Sequence, residues 1–469
     1  MAVLFNSYEF LLIFLPLVLC VWWFPRLDVR WRLAILTASS YLFYGWWDYR
    51  FVPLLWLSTW GDYVAGNQIN RSQVPWRRRG WLLFSMTLNL GLLAFFKYLG
   101  FFAESWNALA QWQQWGGPFP VPKLVLPVGI SFYTFQTMSY TIDIYRGAAR
   151  PARSLLHFAA YVSMFPQLIA GPIVRYSDIE DQMRAIPCRC DWNVMARGIM
   201  FFVLGMCQKV LLADTIAAVC DPLWRDPARL QLLSAWFAAL GYTCQLYFDF
   251  AGYSNMAVGL GLMLGFSFPQ NFDSPYQAAN IAEFWRRWHM TLSFWLRDYL
   301  FIPLGGSRAG SLLTARNLFI VMFLGGLWHG AGWTFVCWGL YHGLLLAIHA
   351  ALRRTKTLEG MSRPVGTMIT FISVVVGWVL FRSPSLSAAG TMITAMAGCR
   401  GIDKNLEQAV CGVWGIAVLG ILLGVCLRMP NMWRISVGLN FYSAAAFGAL
   451  MAFCVLRFSQ LSPFLYFQF

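Results

Sequence analysis

The chain has 469 residues, 59% of them hydrophobic and only 12% charged, with a mean hydropathy of +0.55. Uncharged runs recur from Phe10 to Phe458, which excludes a soluble two- or three-domain protein. They are also too long and continuous for the alternating strands of a β-barrel, so the chain reads as an all-α polytopic membrane protein. The net charge of +15 comes from 35 Lys+Arg against 20 Asp+Glu in short scattered clusters; these suit cytosolic loops and exclude a nucleic-acid partner.

The opening, MAVLFNSYEFLLIFLPLVLCVWWF, lacks a basic n-region and a small-residue cleavage site, so it reads as a retained first helix. Residues 9–24 form the first span, and Arg26, Arg30 and Arg32 put the following loop in the cytosol. Spans at 33–47 and 51–69 then deliver Arg71, Arg77, Arg78 and Arg79 to the cytosol. A fourth, 81–102, leads to an outer loop rich in Trp, Gln and Gly, and a fifth, 124–145, returns to Arg146, Arg150 and Arg153.

The stretch 155–174 has basic flanks on both sides and is interrupted by Pro166, Gly171 and Pro172. It is expected to be a re-entrant element, tolerable at membrane depth only if its loose backbone is buried in protein or lines a wet cavity. Spans at 193–220 and 231–264 follow. The run Leu318–Leu352 also has cations on both flanks, Arg316 and Arg353, and reads as a tight hairpin or a second broken element. Spans at 366–381, 409–427 and 435–457 complete about 10–12 crossings with both termini outside. With no repeat or linker, residues 1–469 form one domain. The eleven cysteines lie mostly in apolar runs, and the lone C-x-C of Cys188 and Cys190 has no second pair with which to bind zinc. No metal site is expected.

Residues 269–308 are too polar for a simple span. On a helix over 283–298, Arg286, His289, Ser293 and Arg297 fall at i, i+3, i+7 and i+11, opposite Trp285, Trp288, Leu292 and Trp295. One reading is a helix floating in the headgroup layer. The other is a basic face, with Glu283 close by, that looks into a cavity and receives a phosphate-bearing or anionic group. In the span before it, Asp249 must be paired or protonated; Arg286, Arg287 and Arg297 are candidate partners, and a plain helix staple is the alternative.

The chain has five histidines, and His329 sits inside a span in GGLWHGAGW. An ionisable group at that depth is costly and marks a functional site by default. Gly325, Gly326, Gly330 and Gly332 leave room for a close neighbour. A buried neutral imidazole suits a general base; a packed, hydrogen-bonded histidine is the bland alternative. His157, His342 and His349 read as structural or interfacial.

The segments LPVGISFYTFQTMSYTIDIYRG, MFPQLIAGPIVRYSDIEDQ, QLYFDFAGYSNMAVGLGLMLGF, NIAEFWRRWHMTLSFWLRDYLFIPLGG and GGLWHGAGWTFVCWGLYHG carry a resemblance to the membrane-bound O-acyltransferase family. The nearest branch is the bacterial one that serves exopolysaccharide O-acetylation of alginate or cellulose, with a family-like core over 125–350. The resemblance implies a central funnel, His329 as the catalytic residue and His289 as its helper. Arg286, Arg287, Ser293, Arg297, Asp298, Asp249 and Trp328 are then candidate substrate contacts. It implies no bound cofactor, acetyl-CoA as cytosolic donor, and a periplasmic partner transferase within an exopolysaccharide synthesis and secretion complex of the inner membrane. D-alanyl transfer from a carrier protein is the alternative within the class. A transporter with broken midplane helices and a non-catalytic scaffold are alternatives outside it.

Overall fold

The computed structural model describes residues 4–25, 27–115, 118–122, 124–308, 310–357, 359–404, 406, 410–435, 438, 440–458 and 464–465. Every regular element among the described residues is helical. The chain folds as two compact units, Met1–Phe202 with Asn255–Pro269, and Val203–Ser254 with Gln270–Phe469.

In the first unit a π-helical turn, Phe10–Phe14, runs into α1 (Leu15–Trp22), followed by α2 (Val29–Asp48) and α3 (Val52–Arg71). Asp28 starts α2 by accepting from the Trp31 N–H at 2.9 Å, the usual N-cap geometry. Next, α4 (Pro75–Leu93), a π turn and α5 (Leu99–Gln113) join as one helix of 39 residues. That is nearly twice the about 20 residues a hydrocarbon core needs, so the expected span over 81–102 is only its middle. α6 (Ile130–Arg146) packs on both α3 and α4 through a buried polar network. Asp62 accepts from Ser85 Oγ at 2.5 Å and Asn89 Nδ2 at 2.7 Å, and Asn89 Oδ1 accepts from Thr137 Oγ1 at 3.0 Å. Such contacts act as polar glue where no water competes.

The stretch at 155–174 is broken, as its prolines and glycine predict. α7 (Leu155–Ser163) has nine residues and α8 (Phe165–Leu168) a single turn, about 14 Å of helix for the longer piece. Its irregular backbone is buried and satisfied within protein. The Phe165 N–H donates to Ser40 Oγ at 3.1 Å, Gln167 Nε2 to the Tyr161 carbonyl at 2.9 Å, and Tyr161 OH to the Val174 carbonyl at 2.9 Å. α9 (Tyr176–Arg184) follows. α10 (Trp192–Cys207) continues through a π turn into α11 (Asp214–Arg225), and α12 (Leu232–Met263) is the longest single α-helix.

The second unit holds α13 (Ile281–Arg287), α14 (Met290–Leu296), α15 (Ser311–His329), α16 (Trp333–Arg354), α17 (Arg363–Arg382), α18 (Leu386–Met396), α19 (Gly412–Arg428) and α20 (Phe441–Leu456). The Leu318–Leu352 run is a helical hairpin, α15 turning into α16. The crossing needs bare backbone: a Cβ on Gly326 comes 3.2 Å from Gly339 Cα and runs into the Phe335 carbonyl, and one on Gly339 runs into the Met322 carbonyl. The short α18 was not anticipated. Among the described residues five helices are long and apolar enough to cross a membrane, Pro75–Gln113, Trp192–Arg225, Ser311–His329, Trp333–Arg354 and Arg363–Arg382, and four further apolar helices are shorter.

Candidate active site

The sequence suggests one helix over 283–298. The structure breaks it: α13 ends at Arg287, Trp288 is extended, and His289 adopts a left-handed conformation with φ +43° before α14 begins. The 3.6-residue phase is lost at that point, so Arg286, His289, Ser293 and Arg297 do not share one continuous helical face. Left-handed non-glycine residues are uncommon and tend to be held where the surroundings over-determine them.

Here the surrounding group is Asn271, a residue the sequence reading passed over. Its carbonyl accepts from the Met290 N–H at 2.8 Å. Its side-chain Oδ1 accepts from Thr291 Oγ1 at 2.9 Å and from the Thr291 N–H at 3.3 Å, while Nδ2 donates to Ser254 Oγ at 3.0 Å. His289 Nδ1 lies 3.0 Å from the same Oδ1. The Thr291 backbone donor fixes which end of the amide is oxygen, so His289 Nδ1 must carry the proton and Nε2 the lone pair. That is how a histidine is oriented by its other nitrogen.

His289 is fully buried, against the edge of Phe250 at 4.8 Å between ring centroids. Burial pushes its pKa down to about 3. The native state therefore holds it neutral, and the stability linked to it is present above its ordinary pKa near 6.5 and lost as pH falls towards 3. Thermal unfolding in detergent is expected to show a midpoint that drops between pH 6.5 and 4. His289→Gln, which keeps a hydrogen-bonding side chain but no titration, should flatten part of that slope.

His329 is the last residue of α15 and is 5% exposed. Its ring centroid lies 5.0 Å from Trp328, 5.0 Å from Trp338, 5.3 Å from Phe381 and 6.5 Å from His289. Two histidines thus meet within an aromatic wall, and Trp328 touches both rings, standing 6.0 Å from His289.

The other candidates separate. Arg287 is held by Glu283 at 2.8 Å, and Arg297 by its neighbour Asp298 at 2.6 Å with its guanidinium over Phe294. Ser293 Oγ donates to the Trp288 carbonyl at 3.2 Å, stitching the helix break. Arg286 is exposed and lines a cavity with His349 and Arg353.

Asp249 pairs with none of the three arginines proposed for it. Its partner is Lys209 at 2.6 Å, which also meets Asp214 at 2.8 Å, and Asp249 Oδ2 accepts from the Leu465 N–H at 3.0 Å. This is a staple joining the π turn after α10, α12 and the chain's last described residues. Lys209→Met is expected to lower stability by about 3–5 kcal/mol by stranding a buried carboxylate. The double change with Asp249→Leu should recover most of it, read as the unfolding midpoint in detergent. His157 is buried and contacts Tyr176 OH through Nδ1 at 3.1 Å. His342 is buried among Trp285 and Trp338, at 5.1 and 5.0 Å.

Helices long and apolar enough to cross a membrane thus accompany two buried histidines whose rings approach to 6.5 Å. Residues 81–383 match the profile of MBOAT, the membrane-bound O-acyltransferase family. The chain is 44% identical over 396 residues to the probable alginate O-acetylase AlgI of Azotobacter vinelandii, covering 84% of this chain and 77% of the relative. It is 34% identical to the peptidoglycan O-acetyltransferase of Helicobacter pylori, covering 100% of this chain and 98% of that one. With the teichoic acid D-alanyltransferase of Streptococcus thermophilus it shares 30% identity over 54% of its own length. The chain belongs to the membrane-bound O-acyltransferase family and is a multi-pass membrane acyltransferase.

Proposed function

We propose that the protein transfers an acetyl group from a cytosolic thioester, acetyl-CoA, across the inner membrane for O-acetylation of an extracytoplasmic polysaccharide, alginate or cellulose. His329 acts as general base on the accepting hydroxyl. The hydroxyl oxygen attacks the thioester carbonyl, the ester forms, and the thiol leaves with the proton that His329 took up. His289, held neutral with Nε2 as acceptor, assists beside it, and Trp328 walls the pair. General-base help is worth roughly 10²–10⁴-fold, and a wall of aromatic rings protects the thioester from water.

The observation that carries this reading is the 6.5 Å approach of the His289 and His329 rings in a chain of this family. Of the three arginines among the candidate substrate contacts, Arg286 is retained for the donor's phosphates; Arg287 and Arg297 already have carboxylate partners. The reading includes a periplasmic partner transferase, periplasmic termini, and residues 1–469 acting as one domain, since both units are built from interleaved stretches of chain. A second reading, peptidoglycan as the final acceptor, is favoured by the relative whose match spans the whole chain. Purified protein given ¹⁴C-acetyl-CoA, or a D-alanyl carrier protein, separates the donors: consumption of the first alone supports acetyl transfer. Solute movement with no thioester consumed would place the protein among transporters instead.

A further inference from the structure

The last helix meets the rest of the second unit at a pair of thiols. Cys207 is the final residue of α10, and Cys454 lies two residues before the end of α20. The two are 247 positions apart, yet their Sγ atoms stand 3.6 Å from one another. A disulfide needs about 2.05 Å between its sulfurs. The pair would close by about 1.5 Å to reach it, a movement within the range of side-chain rotation.

Thiols sealed in apolar packing are inert, but this pair has a route in. Three residues beyond each thiol, about one turn, Val210 and Arg457 line a cavity of about 350 Å³ whose wall also holds Asp214, Thr215, Cys411 and Trp414. Such a space takes a small molecule and excludes a folded protein. Cys207 is itself only half-buried.

The end of the chain is fastened at the same place by other contacts. Lys209, two residues after Cys207, holds its ammonium 4.9 Å from the centre of the Phe464 ring, and the Leu465 N–H donates to Asp249 at 3.0 Å. Tyr253 meets Phe464 edge-on at 4.5 Å between centroids. Asp249 and Tyr253 belong to α12, whose Ser254 accepts from Asn271, the residue that orients His289.

We propose that Cys207 and Cys454 form a reversible oxidation site, a thiol pair that a low-molecular-weight disulfide converts into an intrachain disulfide clamping α20 onto the end of α10. One cysteine, as thiolate, attacks a sulfur of the reagent; the reagent's S–S bond breaks and one thiolate leaves. The second cysteine then attacks the first one's sulfur, forming the Cys207–Cys454 bond and expelling the other reagent thiolate. The two cysteine protons end on the two released thiols, and the two electrons given up by the cysteines reduce the reagent. A dithiol reverses the change. The clamp rests on the fold alone, so its failure and the failure of the acyl-transfer reading are separate results.

The test uses the full chain in neutral detergent. Protein is treated with bis(hydroxyethyl) disulfide until the exposed Cys411 is modified, then blocked with N-ethylmaleimide and digested without reductant. Mass spectrometry is expected to find the Cys207 and Cys454 peptides joined, and dithiothreitol should separate them. The unfolding midpoint should rise by about 5 °C or more on oxidation, because the link closes a long loop in the unfolded chain. Cys207→Ala and Cys454→Ala should each lose the joined peptide and the rise, whereas Cys411→Ser should keep both. The wild-type peptide map decides the matter even if an alanine variant fails to fold. The proposal is overturned if wild-type protein stays unjoined after this treatment, if Cys411 takes the place of either partner, or if joining leaves the midpoint unchanged.

Discussion

His329→Ala lowers acyl transfer by about 10²–10⁴-fold, the worth of a positioned general base, while the protein still inserts and keeps its helical content. The loss should fall on kcat, because the imidazole acts on the proton in flight and not on donor affinity. His329→Gln, which keeps a polar group of similar reach without a base, should be nearly as slow. Rapid-quench measurement with labelled thioester checks it. A variant that retains more than about a tenth of wild-type kcat would remove His329 from the chemistry and leave it as a packed residue among Trp328, Trp338 and Phe381.

Asn271→Leu is expected to be the next most damaging change, although Asn271 is not placed at the reacting atoms. Its side chain accepts from Thr291 twice and orients His289. Leucine leaves the buried Thr291 N–H and His289 Nδ1–H to find new partners, at about 1–3 kcal/mol each. It also releases the left-handed turn at His289. A shift of about 1 Å in a catalytic group can cost 10²-fold, so kcat should fall about tenfold to a hundredfold. Asn271→Asp keeps the acceptor and should restore most of the rate, with an altered pH profile because a carboxylate then faces the imidazole. A purely structural role predicts equal loss in both variants and no change in the pH profile.

The histidine in GGLWHGAGW was legible because its setting is local: an ionisable side chain in an apolar run and small residues on the same helix. The break in 155–174 was legible for a similar reason, since proline and glycine act on their own backbone. What the sequence hid was long-range. Lys209 and Asp249 lie 40 positions apart, and nothing in either neighbourhood marks the pairing. The helix over 283–298 fits the spacing well, yet Asn271, 18 residues before His289, diverts the backbone into a left-handed turn. Periodicity cannot see a hydrogen bond from outside its window. The glycines around His329 were read as room for a close neighbour, and at Gly326 that neighbour is the backbone of α16 at the hairpin crossing.

The most direct measurement is acetyl transfer by purified protein in sealed proteoliposomes, with ¹⁴C-acetyl-CoA supplied on the cytosolic side and a hydroxyl acceptor on the other. The account predicts labelled ester on the acceptor and stoichiometric release of free CoA by wild type, with both signals lost together in His329→Ala. Transfer that persists at the wild-type rate in His329→Ala, or a wild-type protein that leaves the thioester intact, would contradict it.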